Sequence, residues 1–237
     1  MLDIFFQGQN SFSAFNKEHL LTILLLAILF FIIIYLSNKF LNVKQQSVFG
    51  FALGIFTFLG LVTRTLLYYK LGTFTIENGL PLYVCRLATL FVPFLMWYKN
   101  KKLFGILYFW ILGGTLQALL TPDLAYGFPH FESIYYWQIH GGLVLVILYA
   151  VFVYKMKPVF HDLKNAFYAG VGYLVVIHVI NILLGSNYSY TMRKPPVASI
   201  LDIMGPWPVY LGTGIGVMMV LFLILYLPFY LQAKRSQ

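Results

Sequence analysis

The chain has one cysteine, Cys85, so no disulfide can close within it and a redox pair is excluded. Acidic residues number only seven and charged residues of both signs make up 10%, too few to clothe a water-soluble domain. No Gly-rich phosphate loop with its lysine occurs, which excludes the common nucleotide signatures. Close ligand pairs such as His-x-x-x-His are missing as well, so spacing supports no metal, and no cofactor is expected. Internal repeats and low-complexity tracts are absent from the sequence, and most connections are too short for a second domain. The residues ahead of the first apolar stretch lack the core and cleavage site of a signal peptide, so that stretch is expected to stay attached.

What the chain has is hydrocarbon. Hydrophobic residues make up 60% of its 237 positions and mean hydropathy is +0.81. A bilayer core takes roughly 20 apolar residues of helix to cross. Seven stretches meet that test: 20–38, 48–70, 82–98, 103–120, 136–154, 166–184 and 208–231. The expected fold is all-α, a single seven-helix transmembrane domain over residues 1–237.

Basic residues orient it. One set of connections holds Lys39, Lys44, Lys99, Lys101, Lys102, Lys155, Lys157, Lys164, Lys234 and Arg235; the other holds only Lys17, Lys70, Arg193 and Lys194. By the positive-inside rule the first set is cytoplasmic, with the N-terminus outside and the C-terminus inside. The net charge of +9 then faces anionic lipid, and nothing in it suggests a nucleic-acid partner.

Polar residues within the spans share one depth. Arg64, Cys85, Arg86, Gln117, His140, His178 and Asn181 all fall within roughly 10 Å of the outer boundary, at 1.5 Å per residue. His19 opens the first span on that side, and the outer loops add Asp123, His130, Asn187, Arg193 and Asp202. Singly, each has a plain explanation. An arginine can snorkel to the head groups, and a histidine or asparagine can join neighbouring helices. Five spans contributing at one level are better explained by a shared polar cavity open to the outer leaflet. Prolines and aromatics in loops 121–131 and 185–207 suggest an ordered cap over it, although an interfacial aromatic belt has the same composition. The glycines of Leu211-Gly212-Thr213-Gly214-Ile215-Gly216 fit close helix packing.

Several segments in these spans and loops carry a family resemblance. Leu80-Pro81-Leu82-Tyr83-Val84-Cys85, Gly113-Gly114-Thr115-Leu116-Gln117, Thr121-Pro122-Asp123, Gly127-Phe128-Pro129-His130-Phe131, His140-Gly141 and Met204-Gly205-Pro206-Trp207-Pro208 resemble the YwaF-type bacterial membrane proteins, relatives of animal transmembrane protein 164. The resemblance spans nearly the whole chain and implies a bacterial plasma-membrane protein. The animal relative is regarded as a phospholipid acyltransferase working through a cysteine and a histidine. More distant relatives hydrolyse fatty-acid esters with a threonine and a histidine. Tyr83 departs from the pattern, since many bacterial members carry histidine there.

The residues admit that chemistry on their own terms. A thiol attacks as thiolate, favoured by a nearby cation or by a histidine that takes its proton. Cys85 as nucleophile and His140 as general base could take an acyl chain from a lipid ester and pass it to a lyso-lipid or water. Gln117 or Asn181 could donate to the oxyanion, and Arg64, Arg86 and Arg193 could hold lipid phosphate. Asp123, His130 and His178 complete the candidate substrate site. Alternatively Cys85 is an inert packing residue and the protein a non-enzymatic lipid- or anion-binding subunit in transport or sensing.

Overall fold

The structure, a computed structural model, describes residues 3–6, 11–195 and 199–235. Its principal helices are α1 (Lys17–Phe40), α2 (Val43–Lys70), α3 (Val84–Tyr98), α4 (Lys101–Leu120), α5 (Phe131–Phe152), α6 (Phe160–Leu184) and α7 (Val209–Arg235). Each overlaps one of the seven apolar stretches. Among the described residues six of them, all but α3, are long and apolar enough to cross a membrane.

α3 is the shortest of the seven. Its 15 residues cover only about 22 Å at 1.5 Å each, less than a ~30 Å hydrocarbon core. The reason lies at its ends. Pro81 disfavours helix at Leu80, which is extended at ψ 150°, and Tyr83 is extended as well, so helix starts only at Val84. Lys99, left-handed at φ 50°, stops it.

Short polar residues start the helices. Asn16, Asn42 and Asn100 accept from the amides of His19, Gln45 and Leu103 at 2.8, 3.0 and 3.0 Å. Each satisfies one of the orphan donors of a first turn.

α5 runs through the middle and α4 beside it; these two bury most, whereas α1 and α7 bury least. Lipid replaces solvent around the outer helices, so their apolar faces need no protein partner. Close approach depends on glycine. A Cβ on Gly142 would stand 2.5 Å from Thr57 Oγ1, and one on Gly54 would stand 3.2 Å from Pro93 Cα. Those two positions draw α2 against α5 and α3. The α7 glycines behave otherwise. A Cβ on Gly212, Gly214 or Gly216 meets nothing within 4 Å, so the expected close packing is not made among the described residues. α7 docks instead through Phe222, which fills the space beside Gly113, and through the Leu225 carbonyl, which accepts from Tyr108 Oη at 3.0 Å.

Successive helices alternate in direction, which separates two ends. At the basic end Lys99 Nζ meets Ser47 Oγ, Tyr154 Oη reaches the Ser47 carbonyl at 3.3 Å and Lys157 meets Gln232. The opposite, loop end carries loops 71–83, 121–130 and 185–208.

Candidate functional site

Polar side chains from α2 to α6 gather at the loop end. Arg64 on α2 is buried, its Nε 3.4 Å from Glu132 Oε1 on the first turn of α5. Its guanidinium lies 4.1 Å from the Tyr68 ring centroid and 5.3 Å from that of Tyr135. The carboxylate and the electron-rich ring faces offset the cost of burying the cation. Arg86 on α3 lies 5.1 Å from the Tyr83 ring centroid and within electrostatic reach of Arg64, Tyr135 and His140.

Cys85 sits in the first turn of α3, partly exposed, with Sγ 3.4 Å from Thr115 Oγ1. Thr115 is fully buried and ends a π-helical turn, Ile111–Thr115, inside α4. The Leu116 amide bonds to the Ile111 carbonyl five residues back, so the extra residue swings Thr115 towards α3. On α5, His140 Nδ1 donates to the Tyr136 carbonyl at 2.9 Å. In the neutral ring that leaves Nε2 with its lone pair, ready to take a proton. The ring packs on Tyr136 with centroids 4.1 Å apart, and the Tyr136 phenol, which donates to the Ala118 carbonyl at 2.6 Å, interacts electrostatically with Cys85.

Above the cluster the described part of the long loop folds down as an ordered layer. Asn181 Nδ2 donates to the Tyr188 carbonyl and to Thr191 Oγ1, and its Oδ1 accepts from Ser186 Oγ and the Tyr188 amide, all at 2.7–2.8 Å. Tyr188 is fully buried, its hydroxyl between the Leu80 amide and the Ile76 carbonyl. Tyr173 Oη bonds to the Leu82 carbonyl at 2.6 Å and to Ser189 Oγ, tying α6 to the start of α3. Tyr190 Oη donates to Asp123 Oδ2 at 3.2 Å. Burial first, and that carboxylate second, hold the Tyr190 phenol protonated well above its usual range. Trp207 Nε1 donates to the Thr191 carbonyl at 3.1 Å. Pro196 lies outside the described residues.

The candidate residues thus divide. Arg86 is within electrostatic reach of Arg64, Cys85 and His140, and half-buried Gln117 lies two residues beyond Thr115 on α4. Asp123 is exposed at the rim. Asn181 spends all four of its hydrogen-bonding positions on the loop, so it frames the site and has no donor left for an oxyanion. His178 Nδ1 meets Thr191 Oγ1 at 3.3 Å and belongs to that frame. His130 caps α5, its Nδ1 accepting from the Glu132 amide at 3.2 Å. His19, fully buried, bonds through Nε2 to the Leu119 carbonyl at 2.9 Å and ties α1 to the end of α4. Arg193 is exposed, Asn187 bonds around the Arg193 backbone, and Asp202 pairs with Lys194 at 3.9 Å.

Sequence reasoning missed Glu132, Thr115 and the ring of tyrosines. Glu132 had a usable signal, as a carboxylate at the head of an apolar stretch level with Arg64. Thr115 had only Gly113-Gly114 before it, and a π turn has no dependable sequence mark. Among the described residues no three His, Cys, Asp or Glu side chains are grouped to hold a metal.

These features define a multi-pass helical membrane protein whose polar side chains collect at one end of the bundle. The chain belongs to the TMEM164 family, whose profile matches residues 12–226. No match occurs among curated proteins or solved structures.

Proposed function

We propose that the protein transfers or hydrolyses acyl groups of lipid esters at the outer leaflet of a bacterial plasma membrane, with Cys85 as nucleophile and His140 as base. The observation that carries this reading is the half-buried thiol set against Thr115 and beside the Tyr136–His140 pair, within an otherwise apolar bundle. His140 Nε2 takes the Cys85 proton, and the thiolate adds to the ester carbonyl. The tetrahedral intermediate collapses to a thioester, and the lyso-lipid oxygen leaves with the proton from His140. A lyso-lipid hydroxyl or water then attacks the thioester, His140 takes its proton, and the sulfur leaves and is reprotonated. In this reading Gln117 donates to the oxyanion, and Arg64, Arg86 and Arg193 meet lipid phosphate. Family membership and the motif resemblance support the same assignment.

One observation favours the alternative of a lipid- or anion-binding protein without chemistry. Arg86 lies within electrostatic reach of Arg64, so two guanidinium groups stand near each other at this end of the bundle, as a site for an anionic head group would have them. The two readings separate in one experiment. Purified protein incubated with acyl-labelled phospholipid acquires label that hydroxylamine releases and that Cys85→Ala and His140→Ala both abolish. No label and no lipid turnover, with lipid retention still weakened by Arg86→Ala, establishes the binder and ends the enzyme proposal.

A further inference from the structure

An apolar recess of about 420 Å³ opens between α2 and α3 on the half of the bundle away from the polar cluster. Phe51, Ile55 and Phe58 form one wall, and Leu90, Phe94 and Trp97 the other. Its shape follows from the packing. Gly54 lets α2 touch α3 at Pro93, and the bulky residues on either side splay outward, with the Phe51 and Trp97 rings 4.7 Å apart. Phe94 and Trp97 are exposed, so the recess faces the lipid.

Its lower rim is cationic. Lys99, immediately after α3, places Nζ on Ser47 Oγ of α2 and 4.5 Å from the Tyr154 ring centroid. Lys101 and Lys102 follow, both exposed. α4 begins at Lys101 and its 20 residues give about 30 Å of helix, close to the ~30 Å of a hydrocarbon core. Both lysines therefore sit at the edge of the hydrocarbon, level with lipid phosphates. Among the described residues no carboxylate forms an ion pair with them. Six of the seven acidic residues belong to the loop end or its approach, and the seventh, Asp162, accepts from the Val159 amide at 2.9 Å and packs against Gly105. The two ion pairs seen among the described residues, Arg64–Glu132 and Lys194–Asp202, lie at the loop end.

We infer that this recess is a binding site for an anionic glycerophospholipid, with an acyl chain along Phe51, Ile55 and Phe94 and its phosphate held by Lys99, Lys101 and Lys102. A partner helix fits poorly. Helix association in a bilayer gains nothing from apolarity and relies on small residues, whereas these walls are aromatic and branched. Any lipid tail can fill such a groove, so selectivity rests with the head group and its basic rim. The site is separate from the polar cluster and independent of the proposed chemistry.

The test uses the full chain in nanodiscs of phosphatidylcholine mixed with phosphatidylglycerol, with retained lipid counted by native mass spectrometry. Phosphatidylglycerol is expected to be retained about thirtyfold over phosphatidylcholine, and the double variant Lys101→Gln/Lys102→Gln to lose that preference, on the scale of two lysines at about 1 kcal/mol each near an anionic surface. The double variant Lys155→Gln/Lys157→Gln removes equal charge elsewhere at the same end and keeps the preference. Ile55→Trp, which fills the groove, lowers retention of both lipids, and thermal melting confirms that each variant is folded. Equal retention of the two lipids by the wild type, equal loss in both lysine pairs, or a dimer that excludes lipid from the groove overturns the inference.

Discussion

Arg64 and Glu132 illustrate how a charge survives inside an apolar bundle. The arginine has a carboxylate on one side and the faces of Tyr68 and Tyr135 on others, so its cost at depth is met locally. Removing one partner exposes the cost of the other. Glu132→Ala leaves a cation among aromatic rings and is expected to destabilise the protein towards the lower end of the roughly 3–5 kcal/mol typical of broken buried pairs, because the carboxylate is partly open to solvent. Replacing both residues, Arg64→Met with Glu132→Leu, should recover most of that loss. Thermal melting of the wild type, Arg64→Met, Glu132→Leu and the double variant measures the coupling directly. A double variant no more stable than Glu132→Ala would show that the arginine is held by its rings and the carboxylate is incidental.

At the scale of the helix, the informative residues are those where another backbone comes close. Gly141-Gly142 in α5 and Gly212, Gly214 and Gly216 in α7 look alike in the sequence, as small residues within apolar runs. Only a neighbour distinguishes them. Thr57 lies against Gly142, whereas α7 presents its glycines to open space. Gly142→Leu is expected to wedge α5 from α2 and cost about 1–3 kcal/mol as an overpacked core, while Gly214→Ala leaves the melting temperature unchanged. A large loss for Gly214→Ala in detergent would point to a contact that the isolated chain does not make. The same limit explains α3. Apolarity located the helix, but Pro81 before it and the left-handed Lys99 after it set its length, and neither alters hydropathy.

For the whole molecule, hydropathy and helical rise were enough to locate the helices and the level at which polar residues lie. They could not report rotation about each helix axis. Residues at equal depth can face a shared interior or a neighbouring loop, and that difference separates Arg64, Cys85, Arg86 and His140 from the framing residues His130, His178 and Asn181. Thr115 reaches Cys85 only because a π turn adds a residue to α4, a local change that composition does not encode. What remains to be placed is the bundle in its membrane. The connections hold ten basic residues at one end and four at the other, from which the positive-inside rule predicts that the polar cluster is on the outside. The lone cysteine makes this measurable, because Cys85→Ala yields a blank background. On that background Thr73→Cys, exposed on the loop between α2 and α3, should react with a membrane-impermeant maleimide on intact cells, and Lys101→Cys only after the cells are opened. The reverse pattern would place the thiol, the histidine and the arginines in the cytoplasmic leaflet and overturn the proposed outer-leaflet site.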